Sequence, residues 1–146
     1  MSSIMVINAK GGSGKTTIST NLASYYANSG FKVTLVDLDP QGSSTKWLSS
    51  RPITKAKIRG VTSLPPQKVS KKEDEITIFD VPAAIYGARL QTYIKKARKI
   101  IVPVLPSPID MSAAKDFLNS LRNLGSVIRN RTCLLYTSPS PRDSRR

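Results

Sequence analysis

Residues 4–17 read Ile4-Met5-Val6-Ile7-Asn8-Ala9-Lys10-Gly11-Gly12-Ser13-Gly14-Lys15-Thr16-Thr17, an apolar run entering a glycine-rich turn that ends on a lysine and two threonines. Gly11, Gly12 and Gly14 carry no Cβ, so the backbone there can take positive φ and turn its N–H groups inward around anionic oxygens. A helix beginning at Lys15 aims its positive end at the same point. Lys15 then reaches the β- and γ-phosphates of a nucleotide, and the Thr16 hydroxyl ligates Mg²⁺. The segment Lys10, Gly11, Gly12, Ser13, Gly14, Lys15, Thr16 and Thr17 is therefore the expected phosphate-binding loop. It misses the generic pattern G-x-x-x-x-G-K-[ST] by one residue, because Ala9 stands where the first glycine belongs. Lys10 is the compensating oddity.

Outward from this loop, strand-like and helix-like stretches alternate. Ile4 to Asn8 reads as a buried strand, and Lys15 to about Asn28 as a helix with Ile18, Leu22, Tyr25 and Tyr26 at helical spacing, closed by Gly30. Lys32 to Val36 is a second apolar run, followed by Asp37-Leu38-Asp39-Pro40-Gln41-Gly42 and a short helix over Ser44 to Leu48. Residues 49–75 show no clean period and predict an irregular connection with a short strand near Ala56 to Val61. Ile76 to Phe79 is a strand ending at Asp80, and a helix with Tyr86, Leu90, Tyr93, Ile94 and Ala97 on one face follows. Lys99 to Val104 is another strand, Pro106-Ser107-Pro108 a turn, and Ser112 to Leu124 a helix stopped by Gly125, with Ala114, Phe117, Leu118, Leu121 and Leu124 inward.

Near-continuous apolar strands separated by amphipathic helices predict an α/β fold, a doubly wound and mostly parallel sheet covered on both faces. Ligands of such folds sit at the carboxyl ends of the strands. The phosphate loop, Asp37, Asp39 and Asp80 all fall there. Phosphoryl transfer requires a metal to neutralise β/γ oxygens and a group that orients the attacking water. Asp80, closing its strand, has the placement of a Walker B aspartate that holds Mg²⁺, against the alternative of a helix N-cap. Asp37 and Asp39, two apart, point to the same side of an extended chain, so both can face the metal. Asp37 is the one expected to support the site rather than carry chemistry.

The form Lys-Gly-Gly-x-Gly-Lys-Thr-[Ser/Thr] resembles the deviant Walker A box of the ParA/MinD class of P-loop ATPases, which partition plasmids and chromosomes or position other cargo. The resemblance extends in order over Ile4 to Leu124, through Asp37-x-Asp39-Pro40-Gln41-Gly42, Asp80-Val81-Pro82-Ala83 and the stretch Val102 to Asp110. It is closest to ParA-type partitioning ATPases. It implies a fold of that P-loop class, with ATP and Mg²⁺ as cofactors. Lys10 would cross a dimer interface to the partner's nucleotide, and Asp39 would position water and metal during slow hydrolysis. The implied catalytic residues are Lys10, Lys15 and Asp39, and the implied metal set is Thr16, Asp39 and Asp80. An ATP-bound homodimer, non-specific DNA and a DNA-binding partition partner are the implied associates. One departure is Val81, where the family often has a threonine whose hydroxyl lies near the phosphates.

The 146 residues fit one domain. Histidine is absent and Cys133 is the single cysteine, which excludes histidine-based acid–base or zinc chemistry and an internal disulfide framework. It also argues against the reductases that share this loop style, which need cysteines for an iron–sulfur cluster. No run of about 18 apolar residues spans a membrane, and the first residues lack a signal-peptide pattern, so a cytoplasmic location is expected; the family resemblance implies association with the nucleoid in the ATP state. The formal charge of +14 points toward polyanions. Basic residues concentrate over Arg51 to Lys72 and Arg89 to Lys99, which fits either a solvated basic surface or non-specific DNA attraction. Trp47 is expected in the core, with a partner-anchoring surface role as the alternative.

From about Thr132 the text becomes Ser/Pro/Arg-rich and aperiodic, and resembles a run produced when sequencing-adapter DNA is translated. The expected organisation is an ATPase domain over residues 1–131, incomplete at its C-terminus, and a disordered, non-native tail over 132–146. That tail carries three arginines and one aspartate, so the basic character does not depend on it. Two alternatives stay open: a membrane-cycling ATPase that marks the cell-division site, and an inactive truncated fragment.

Overall fold

The computed structural model describes residues 3–8, 14–64, 72–83, 85, 87–125 and 131–136. Within them the order is β1 (Ser3–Val6), α1 (Lys15–Asn28), β2 (Lys32–Asp37), α2 (Ser43–Ser50), β3 (Ile58–Val61), β4 (Glu75–Asp80), α3 (Gly87–Ile94), β5 (Lys99–Val104), α4 (Pro108–Arg122) and β6 (Thr132–Tyr136). The strands form one sheet in the order β3-β2-β4-β1-β5-β6, and every pairing is parallel. This is the doubly wound α/β arrangement that the alternation of elements predicts.

The strands are apolar on both faces because both faces are covered. On one side Met5, Val36, Phe79, Ile100 and Val102 pack with Leu90 and Ile94 of α3 and Phe117 and Leu121 of α4. On the other, Ile4, Val33, Leu35, Ile76 and Ile78 pack with Ala23 and Ala27 of α1, with Trp47 and Leu48 of α2 partly buried against them. Trp47 thus belongs to the packing, and Arg51 lies over its ring at 5.3 Å. Register brings three strand ends level: Val6 is opposite Asp80, and Asp80 is opposite Asp37. The loops that leave these ends define the carboxyl edge of the sheet.

Several boundaries differ from the sequence reading. The inward residues of α1 are Ser19, Thr20, Ala23 and Ala27, and Tyr25 is 64% exposed. Small side chains let the helix axis approach the sheet, so the bulky periodic residues are displaced to its flanks. α4 starts at Pro108 rather than Ser112, because Ser107 is its N-cap and accepts a hydrogen bond from Asp110 N at 3.2 Å. Thr132–Tyr136 is not structureless: it pairs with β5 from Ile100 to Val104. Thr-Cys-Leu-Leu-Tyr suits a strand, and pairing covers the backbone edge that β5 would otherwise expose. Residues 137–146 lie outside the described residues.

Candidate phosphate-binding site

The site forms where α1 begins. Gly14, at φ +85°, turns the chain into the helix, and its carbonyl accepts the first helical bond from Ile18 N at 3.0 Å. This left-handed conformation costs glycine nothing. Lys15 follows, and its side chain is only 6% exposed. A lysine so buried requires partners. It has two: its Nζ contacts Asp80 Oδ1 and lies 3.1 Å from Asp39 Oδ2.

Asp80 is fully buried at the end of β4. Its second oxygen, Oδ2, accepts from Thr16 Oγ1 at 3.3 Å and from Ser44 Oγ. Asp39 is held by Gln41 N, which donates to its Oδ1 at 2.9 Å. Burial alone would push the Asp39 carboxyl up, but the Gln41 N–H and the Lys15 ammonium outweigh it and hold the group below its ordinary value. Asp37 does not share this cluster. It accepts from Asp39 N at 3.1 Å and from Thr45 N and Oγ1, both at 2.8 Å, so it fastens the Asp39 turn to the first turn of α2. Of the two aspartates expected to face one point, only Asp39 reaches Lys15, because the start of α2 claims Asp37.

Of the residues expected from the sequence, Lys15, Thr16, Asp39 and Asp80 come together, and Thr17 is exposed in the first turn of α1. Lys10, Gly11, Gly12 and Ser13 lie outside the described residues, so the reading of Lys10 as a residue that acts across a dimer does too. Val81 is fully buried in the apolar core, where a threonine hydroxyl would have to find a partner. Ser44 and Thr45 were not singled out by the sequence. Their signal is slight: hydroxyl residues just after Gly42, a left-handed residue at φ +65° that opens α2.

Among the described residues, no group of three or more His, Cys, Asp or Glu gathers around one point. The oxygens that do gather, from Thr16, Asp80 and Asp39, are hard ligands. Mg²⁺ is commonly bound through one or two carboxylates plus substrate phosphates and water, so the donor set fits it.

A sequence model of the AAA domain family matches residues 1–133. The chain belongs to this family. Its relatives place it in the ParA/MinD type of P-loop ATPases. This AAA-domain chain is 30% identical over 145 residues to Maintenance of carboxysome distribution protein A of Halothiobacillus neapolitanus, an alignment covering 93% of this chain and 67% of that protein. It is 53% identical over 112 residues to Sporulation initiation inhibitor protein Soj of Bacillus subtilis, over 77% of this chain and 36% of that protein. The chain therefore spans only part of these relatives' length. In structure it resembles a Borrelia burgdorferi plasmid partition protein bound to AMPPNP, with a TM-score of 0.67 at 15% identity over 99% of this chain and 88% of that one. That likeness shows a shared fold.

Proposed function

We propose that this chain is the nucleotide-binding part of an ATP-dependent switch that partitions DNA or positions other cargo. The observation that carries the reading is Lys15, held at the N-terminus of α1 between Asp39 and Asp80 while Thr16 shares the Asp80 carboxylate. A lysine ammonium at a helix start is what a phosphate-binding end requires. Lys15 exchanges its carboxylate partners for the β- and γ-phosphates of ATP. Thr16 and Asp80 would hold Mg²⁺, with Asp39 completing the set. The ion would supply charge neutralisation on the phosphate oxygens. Asp39, its Oδ1 held by the Gln41 N–H, orients the attacking water. ATP closes two copies into a homodimer with Lys10 reaching the partner's nucleotide, and slow hydrolysis reopens it. The ATP-bound dimer binds DNA without sequence preference and answers to a DNA-binding partition partner, in the cytoplasm and on the nucleoid.

The test is binding of a fluorescent ATP analogue to the chain and to Lys15→Ala, joined to light scattering of the wild type and Lys10→Ala with ATP. Lys15→Ala should bind no nucleotide, and Lys10→Ala should bind it but remain monomeric. Unchanged affinity in a folded Lys15→Ala protein would overturn the phosphate site. Normal dimerisation and turnover by Lys10→Ala would overturn the cross-dimer role.

A further inference from the structure

Ser44 has no part in the function proposed above, yet it is fully buried and its hydroxyl donates to Asp80 Oδ2. Thr16 donates to the same oxygen from the first turn of α1, and Lys15 holds the other oxygen. Three donors from two helices thus fix one buried carboxylate. Their fates differ when a nucleotide arrives. The Lys15 ammonium would turn to the phosphates and the Thr16 hydroxyl to the metal, so two of the three would be drawn away from Asp80. A buried carboxylate that loses its donors is costly and free to rotate.

Ser44 has no competing task. It is mounted on the first turn of α2, which is clamped from two directions: Lys46 N donates to Gly42 O at 2.9 Å, and Thr45 N and Oγ1 both donate to Asp37. The same clamp accepts Asp39 N at 3.1 Å. The Ser44 hydroxyl therefore links the turn that carries Asp39 to the strand end that carries Asp80. We infer that Ser44 is a positioning residue for the metal site: it keeps Asp80 Oδ2 anchored so that Oδ1 faces the cation once Lys15 has left, and it sets the spacing between Asp80 and Asp39. The inference rests on the ATP–Mg²⁺ reading given above.

The experiment measures affinity for a fluorescent ATP analogue in EDTA and across a Mg²⁺ titration, for the wild type, Ser44→Ala and Ser44→Cys. Cysteine nearly keeps the volume of serine but is a weak donor. Both variants should keep the metal-free affinity, and should need about tenfold more Mg²⁺ to reach the strengthened state, the effect expected from losing one hydrogen bond to a charged group. A packing defect would instead weaken binding with and without the metal. Wild-type Mg²⁺ dependence in either folded variant would overturn the inference, as would equal losses in EDTA and Mg²⁺. A wild type that binds no analogue would overturn the ATP reading itself, and this inference with it.

Discussion

Lys15 and Asp80 stand 65 positions apart in the chain and form a buried ion pair at the carboxyl edge of the sheet. The pair is local to the site and global to the fold, because it joins the start of α1 to the end of β4. Under the proposed function, phosphate would compete with a carboxylate for the same ammonium. Asp39, 3.1 Å from Lys15 on its other side, shares in that competition.

Removing Lys15 should therefore do two things. Lys15→Ala leaves Asp80 charged, fully buried and without its cation, a change that costs about 3–5 kcal/mol in buried pairs. Replacing both partners together, as Lys15→Met with Asp80→Asn, should recover most of that loss. Urea unfolding of the single and double variants measures the difference. Equal stability of Lys15→Ala and the wild type would show that the pair contributes nothing to folding.

Asp39 predicts an acid limb. Its carboxyl is raised by burial but lowered more by the Gln41 N–H and Lys15, so the folded-state pKa lies under the ordinary 3.8. The unfolded chain then takes up the proton more readily than the folded one. The stability that Asp39 contributes is complete above pH 3.8 and is lost as pH falls through the lower folded-state value. Asp39→Asn should be less stable than the wild type at neutral pH, and the gap should close in strong acid. Urea midpoints for the two proteins across that range check the sign, and a gap that widens in acid would contradict it.

Ser107 gives a prediction away from the site. Its hydroxyl accepts from Asp110 N and donates to Asp110 Oδ2, so both ends of the cap are tied at the start of α4. Ser107→Ala should cost about 1 kcal/mol, the usual effect of losing such a cap. Thermal unfolding measures it. Nucleotide affinity should be unchanged, since Lys15, Thr16 and Asp39 are held through α1, β4 and the turn from Asp39 to Gln41 rather than through α4.

The fold was legible because parallel strands buried on both faces leave apolar runs, and Lys32–Asp37, Glu75–Asp80 and Lys99–Val104 are such runs. That Lys15, Thr16 and Asp80 come together was legible because glycine spacing and strand-end carboxylates place them at the same edge of the sheet. The face of α1 is legible in part: Leu22 and Tyr26 pack half-buried against the core, whereas Tyr25 is exposed and the fully buried positions include Ser19 and Ala23, which carry little hydropathy signal. The start of α4 was hidden by Pro108, which reads as a turn residue yet is well suited to a first helical position. Ser44 leaves only a slight trace, because a serine among hydroxyl residues gains meaning only when Asp80 is seen beside it. β6 was masked by the aperiodic text around it.

The basic surface yields the last prediction. Lys55, Lys57 and Arg59 are exposed along and just before the edge strand β3, and Arg98 and Lys99 are exposed where β5 begins. If these side chains meet DNA phosphates, log affinity should fall linearly with log salt, at a slope of about −0.9 per neutralised phosphate, and equally on unrelated base sequences. Replacing Lys57 and Arg59 by alanine should make the slope shallower by about 1 for each phosphate that is no longer neutralised. An ATP-bound dimer presents two such surfaces, so ATP should steepen the slope and ADP should not. Salt titrations on two unrelated duplexes, in both nucleotide states, decide the matter. Weak binding that is identical with ATP and ADP, or a slope unmoved by the double substitution, would make these residues a solvated surface and direct the search toward a protein cargo.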